Sequence, residues 1–400
     1  MDFKKEAEAL KDHMVSFRRH FHQYPEPSGQ EFRTAEIIAD ALTGFGLEVR
    51  SDVGSPLPGV VGLLRGGNPG PTIALRADMD ALRVSEQRES AYQSRISGLS
   101  HGAGRDGIMA IQLGAAELLN RHKSQLHGNV KFIFQPSQEI YGGAIPMIQD
   151  DVLKNPDVSA IIGLRVDSAI RVGQAAVSFG PTTAASDRLI LQLRGSSAHG
   201  AYPHEGVDAM VLASHVILGI QTLLSREKDA FNPAVLTFGI IEGGSQPNVL
   251  CDEVRLRGIL RSLNPETRGF LLRRLTELLD GLTKAYRGSY QLTHEKSYDR
   301  LDNHPVIALL EKRAAEEILG AENVLELAHA QMITEDFSYF AQEVPGALWF
   351  LGTGNPTKDT DRPRHRPDFD IDEDALPLGA AIQARLAFDF LQPAHTQLKK

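Results

Sequence analysis

The stretch GLSHGAGRDGIMAIQLGAAELL, residues 98–119, reads as a loop of glycines and polar residues feeding a helix. Before it, PTIALRADMDAL (71–82) is a short β-rich run that ends in acidic residues. After it, GNVKFIFQPSQE (128–139) is a second such run ending in polar residues, and VSAIIGLRVD (158–167) is a third. Strands separated by a helix predict βαβ crossovers and a mostly parallel sheet. The pairs Asp78/Asp80, Gln138/Glu139 and Arg165/Asp167 are expected to follow the C-terminal ends of these strands. That edge of an open α/β sheet is where ligands bind. Upstream, EFRTAEIIADALTGFGLEV (31–49) predicts an amphipathic helix with Thr34 as its cap and Gly46 as its stop.

Residues 186–297 follow another pattern. DRLILQLRG (187–195) alternates as a strand, and GVDAMVLASHVILGIQTLLSR (206–226) is a long helix. PAVLTFGIIEGG (233–244) and DEVRLRGILRSL (252–263) are strands joined through SQPNVLC. A helix over 265–286 and a strand over 289–299 complete the series. The order β-α-β-β-α-β is the ferredoxin-like arrangement. HPVIALLEKRAAEEIL (304–319) and GALWFLGTGN (346–355) then resume the α/β signal. The fold class expected is therefore α/β: a mostly parallel-sheet domain over 1–185 and 298–400, with an α+β domain inserted at 186–297. The tail after residue 392 is expected to fray.

A chain of 400 residues is long enough for two domains. Its net charge of −9 disfavours nucleic acid and anionic membrane as main partners, because both need a basic face. A lone cysteine, Cys251, excludes an internal disulfide and any multi-cysteine zinc site. No run is expected to reach the roughly 18 apolar residues of a membrane span, and the charged N-terminal segment does not read as a signal peptide. A cytoplasmic location is the expectation.

The motifs RRHFHQYPEPSGQEFRTAEII (18–38), ALRADMDAL, SHGAGRDG, FQPSQE, GLRV, SSAHGAYPHEGVDA, TEDFSYF and RHRPDFDIDEDAL (364–376) resemble those of the M20 metallopeptidase family. The similarity is to its amidohydrolase subgroup, the aminoacylases, hippurate hydrolases and indole-acetyl-amino-acid hydrolases. The order and spacing match over nearly the whole chain. The resemblance implies a catalytic α/β domain holding two metal ions and an inserted lid through which two chains pair.

The resemblance also shows departures. Where the family reads His-Ala-Cys-Gly-His-Asp, this chain reads HGAGRD, with Ala103 and Arg105 at two ligand positions. The family's Glu-Glu, base then ligand, is Gln138 and Glu139 here; a further histidine ligand is Arg165; the late histidine survives as His365. Arg83 replaces a usual proline. Alanine offers no donor atom, and arginine is a fixed cation that repels a metal ion. Two dications, a thiolate and a carboxylate carry about +2 together, and two arginines return about +2. The guanidinium groups are therefore expected to take up the metal volume and bridge Asp80, Asp106 and Glu139. No metal cofactor is expected; zinc or manganese would require a different ligand set.

What remains suits general acid–base chemistry on a small carboxylate related to an N-acyl or modified amino acid. The expected catalytic residues are Glu139, His365, His101, Asp80, Gln138 and Asp106. Gln138 keeps the shape of glutamate but accepts no proton. The expected substrate-binding residues are Arg105 and Arg165 as anion forks, with His199, Asn248, Arg261 and Glu335. Tyr141 and Asp167 flank them, and His204 reads as structural. Two other readings stay open: a non-catalytic ligand-binding homologue, and an ordinary metal-dependent amidohydrolase with a displaced ion. Arg105 and Arg165 also admit a purely structural role as salt-bridged plugs.

Overall fold

The computed structural model describes residues 1–140 and 142–393. In chain order the helices are α1 (Phe3–Glu8), α2 (Lys11–Gln23), α3 (Phe32–Gly44), α4 (Arg105–Arg121), α5 (Ala144–Gln149), α6 (Ala209–Thr222), α7 (Pro265–Ala285), α8 (Pro305–Leu319), α9 (Phe337–Glu343) and α10 (Ala375–Phe390). The strands are β1 (Glu48–Val53), β2 (Gly59–Arg65), β3 (Asn68–Asp78), β4 (His127–Gln135), β5 (Val158–Arg171), β6 (Ala175–Val177), β7 (Gly180–Thr183), β8 (Ala185–Arg194), β9 (Ala234–Gly243), β10 (Glu253–Ser262), β11 (Ser289–Tyr298), β12 (Leu301–Asn303), β13 (Val324–Glu326) and β14 (Gly346–Gly354).

The chain divides into two compact units, one of residues 1–180, 302–329 and 336–400, the other of 181–301 and 330–335. The second therefore also takes in a short segment, 330–335, that the sequence pattern did not separate.

The first unit holds an eight-stranded sheet in the order β1-β2-β4-β3-β5-β14-β6-β13. Its centre, β4-β3-β5-β14, is parallel, while β1 and β2 join antiparallel at one side. The central strands carry Ile73, Leu75, Phe132, Phe134, Ile162, Leu164, Trp349 and Leu351, all buried. Such nearly continuous apolar runs belong to strands covered on both faces. Helix α4 is itself a core element: Ile108, Met109, Ile111, Leu113, Leu118 and Leu119 are buried.

Helix α3 begins at Phe32, and Thr34 is not its cap. Thr34 lies in the first turn, where its N–H (2.8 Å) and hydroxyl (2.9 Å) both donate to Glu26. The expected stop holds: Gly46 has φ +82° just beyond the helix end.

The second unit holds a four-stranded antiparallel sheet in the order β11-β8-β10-β9, with α6 and α7 as its helices. This is the ferredoxin-like arrangement. Leu189, Leu191, Leu212, Val216, Ile220, Leu256, Leu271 and Leu275 form its core. The expectation that no segment reaches spanning length needs correction. Helix α6 with its π-helical end, Ala209–Glu227, is long and apolar enough by length and composition. Its Leu212, Ala213, Val216 and Ile220 are nevertheless buried in this unit's core.

Candidate functional site

Asp78 ends β3, and Asp80 follows it. The turn after β4 presents Gln138 and Glu139, and α4 begins with Arg105. Gly104, just before that helix, has φ +76°, and an added Cβ would overlap Val166. A side chain there would force the start of α4 away from the sheet. Arg165 and Asp167 do not follow β5 as expected, because that strand runs on to Arg171. Arg165 pairs in register with Phe350 inside the sheet.

Arg105 is 1% exposed and lies among acceptors from two segments, the end of β3 and the turn after β4. Its Nε–H donates to Asp78 Oδ2 (2.6 Å), and Nη1 donates to the Asp80 carbonyl (3.2 Å). Nη2 donates to Glu139 Oε1 (2.7 Å) and to Gln138 Oε1. Asp80 Oδ1 stands 3.5 Å from Nε. These bonds engage four of the five guanidinium N–H groups. Arg105 was expected to bind substrate; its fork is instead spent on the protein's own carboxylates. Burial alone would push the carboxyl of Asp78 up, but Arg105 and Arg76 beside it hold it well below the usual range.

Arg76 extends this network inward. Its Nε donates to Gln135 (2.8 Å) and its Nη2 to Asp336 (2.9 Å), and Gln135 also donates to Asp336 (2.6 Å). The sequence reading selected Glu335 from TEDF. The structure places Asp336 in the network and buries Glu335 in the 330–335 segment of the second unit.

Glu139 and His365 are the expected acid–base residues that the structure does bring together. Glu139 Oε1 is 3.7 Å from His365 Nε2, with side-chain exposures of 24% and 56%. Burial works against the Glu139 charge, but Arg105 and Arg165 outweigh it and keep it ionised at neutral pH. Burial lowers His365 despite the opposing charge of Glu139, favouring neutral imidazole. His365 has a left-handed backbone, φ +69°, and its N–H donates to the Gly102 carbonyl (2.8 Å). Asp80 is fully buried and accepts from Ser28 Oγ (2.6 Å) and the Glu139 N–H (2.9 Å).

Of two further expected catalytic residues, one joins another cluster and the other is sealed from solvent. Asp106 turns away from Arg105 into a second buried cluster, where Arg18 Nε and His22 Nδ1 each lie 2.7 Å from its Oδ2. Consecutive residues at a helix start point in different directions, which spacing along the chain hides. His22 Nε2 reaches Glu86 (3.1 Å), and Arg18 also pairs with Asp370. His101 is 2% exposed, and neither ring nitrogen has a hydrogen-bond partner among the described residues. Burial pushes it down to about 4, which favours the neutral imidazole. Arg18, His22, Ser28 and Glu31 were missed as site-forming residues, although they stand in the quoted motif. Only the fold shows that this segment packs behind the site.

In the second unit, His199 and Asn248 are exposed and adjacent: His199 bridges Val249, and the Gly200 N–H donates to the Asn248 carbonyl (2.8 Å). Arg261 lies on β10, and its Nη1 donates to the Met332 carbonyl (2.8 Å), a structural contact. Tyr141 and residues 394–400 lie outside the described residues.

Comparisons with known proteins agree with this architecture. The model of the peptidase family M20/M25/M40 matches residues 74–389. A protein named as a hydrolase from Synechocystis sp. is 36% identical over 393 residues, covering 98% of this chain and 99% of its own. The N-acetyl-L-cysteine deacetylase of Bacillus subtilis is 35% identical, covering 92% of this chain and 85% of its own. The crystal structure of a dinuclear metal binding peptidase of the M20 family from Bacillus subtilis superimposes with a TM-score of 0.81 at 28% identity, covering 96% of this chain and 99% of that one. This chain therefore belongs to the M20/M25/M40 peptidase family.

Proposed function

We propose that this protein is a hydrolase of the amidohydrolase type that works without the family's pair of metal ions. Its substrate class is a small carboxylate related to an N-acyl or otherwise modified amino acid. The relatives' names support the hydrolase reading and the N-acyl substrate class.

The observation that carries metal independence is the guanidinium of Arg105, bonded to Asp78, Gln138 and Glu139 at once. The residues present do not fit a dinuclear centre. Ala103 has no donor atom, Gln138 is a neutral amide, and Glu139 is already paired with a fixed cation. Among the described residues, no group of three or more His, Cys, Asp or Glu side chains is arranged to hold an ion.

The acid–base step then falls to Glu139 and His365. Neutral His365, with Nε2 toward Glu139, offers Nδ1 as the proton acceptor for an attacking water. The imidazolium so formed is stabilised by Glu139 at 3.7 Å and returns the proton to the leaving nitrogen. Arg165 supplies positive charge beside the pair. We also propose that two chains pair through the second unit. Its helix α6 leaves Met210, Val211 and Leu218 exposed, and β9 leaves Val235, Ile240 and Ile241 exposed.

The test is metal content by mass spectrometry after a Mn²⁺ or Zn²⁺ soak, together with turnover of N-acetyl and N-benzoyl amino acids with and without chelator. Expected are below about a tenth of an ion per chain and chelator-insensitive turnover. An ion per chain with chelator-sensitive turnover refutes the proposal. Binding without turnover across the panel would select a ligand-binding role, which the amide at position 138 also favours.

A further inference from the structure

We propose that Glu31 is a positioning residue of this site. Its carboxyl holds the Ser137–Glu139 turn in its left-handed form and so sets where Glu139 stands beside His365. The inference rests on the acid–base reading above only for the role given to Glu139.

Glu31 directly precedes α3 but does not cap that helix with its side chain. Glu26 does so instead, accepting from the N–H groups of Arg33 (3.2 Å) and Thr34 (2.8 Å). The Glu31 carboxyl, fully buried, faces inward, and its Oε1 accepts the Ser137 N–H at 2.7 Å. Ser137 has φ +61°, a region that residues bearing a Cβ rarely adopt and that persists only where neighbours hold it. The Gly142 N–H closes the other side of the turn on the Ser137 carbonyl (2.9 Å). Two residues on, the Glu139 N–H donates to Asp80 Oδ2 (2.9 Å), which also accepts from Ser28 Oγ (2.6 Å). The turn is thus pinned at both ends by carboxylates, and the loop carrying Ser28 and Glu31 supports each pin.

The side chains behind the turn are polar and incompletely paired. Glu31 Oε2, Asp80 Oδ1 and Ser137 Oγ are buried, and none has a hydrogen-bond partner among the described residues. The groups facing Glu31 are Asp80 from the loop after β3 and Ser137 from the turn after β4; Arg105 of α4 reaches Asp80 from the far side. Burial and the Asp80 charge push Glu31 up to about 7 against its backbone donors. The pin therefore changes charge near neutral pH, and the turn it holds must register that change.

The test follows the Ser137 and Glu139 amide resonances of the full-length protein by NMR between about pH 5 and pH 9. In the wild type both amides are expected to move together with an inflection near 7. Glu31→Gln, which keeps a carbonyl acceptor but cannot ionise, should abolish the inflection and leave Ser137 amide exchange within about twofold. Glu31→Ala should speed that exchange by about tenfold or more and displace the Glu139 amide. Adding Ser137→Gly to Glu31→Ala should restore the Glu139 amide, since glycine needs no anchor at this φ. Unmoved amides in Glu31→Ala, or an inflection surviving in Glu31→Gln, would overturn the proposal. Should Glu31→Ala fail to fold, the Glu31→Gln titration decides alone. None of these readouts involves turnover, so a failure of the hydrolase reading is distinguishable from a failure of this one.

Discussion

Replacing Arg105 by methionine keeps much of its volume and removes the cation that Asp78, Asp80 and Glu139 share. Asp78 and Asp80 are fully buried, so neither can recruit bulk water in its place. Breaking a buried ion pair from one side costs about 3–5 kcal/mol, and this fork serves several acceptors, so we expect about 4 kcal/mol near pH 7. For a unit of this size that is a fall in Tm of roughly 8–12 °C. The lone tryptophan, Trp349, is fully buried in β14 of the same unit, so its fluorescence reports this unit's unfolding. The pH dependence has a definite sign. Asp78 is held below its unfolded value, so its contribution is present above about pH 4 and is lost as pH falls further. The gap between wild type and Arg105→Met should therefore narrow in acid. Arg105→Lys keeps the charge without the fork and should fall between the two. A Tm within about 2 °C of wild type for Arg105→Met near pH 7 would refute the idea that this guanidinium holds the site together.

Two other buried groups both make stability fall as pH rises, yet their substitutions should act in opposite directions. Glu311 on α8 is 1% exposed, and neither carboxyl oxygen has a hydrogen-bond partner among the described residues; burial raises it well above the usual range. The native state keeps a proton that the unfolded chain releases above about pH 4.5, so stability falls by up to about 1.4 kcal/mol per pH unit above that point. Glu311→Met should raise the Tm at pH 8 more than at pH 5; a lower Tm at pH 8 counts against the assignment. His22 is the converse case: burial and Arg18 push it down, yet Asp106 and Glu86 outweigh them and raise it to about 9. Its contribution is complete below about pH 6.5 and is lost as pH rises through about 9. His22→Gln should cost about 2–3 kcal/mol at pH 6, shrinking toward zero by about pH 10 in urea unfolding; a pH-independent loss would show that His22 is uncharged.

Much of the site was legible because its residues end regular elements. Asp80, Gln138, Glu139 and Arg105 stand out from strand ends and a helix start, and the structure gathers the first three around the guanidinium of Arg105. Asp106 was misplaced although it adjoins Arg105 in the chain. Near neighbours at a loop-to-helix junction project to different sides, and only packing shows that Arg18 and His22 claim Asp106. Glu31 was passed over because nothing in its position before α3 distinguishes a cap from an inward-facing acid. Glu26, five residues earlier, takes the capping duty and frees it.

Sequence pattern alone determined the two kinds of sheet, because apolar periodicity and the order of strands and helices depend only on local spacing. It also determined which residue types stand at 103, 105 and 165, and with them the expectation that a metal ion finds few donor atoms there, because residue type limits coordination chemistry. Which partner each buried charge has was decided by the tertiary structure. Arg105 is 27 residues from Asp78 and 34 from Glu139 along the chain. Arg18 is 352 residues from Asp370. Charges so distant in sequence meet only once the core has closed, and burial then makes each pairing compulsory.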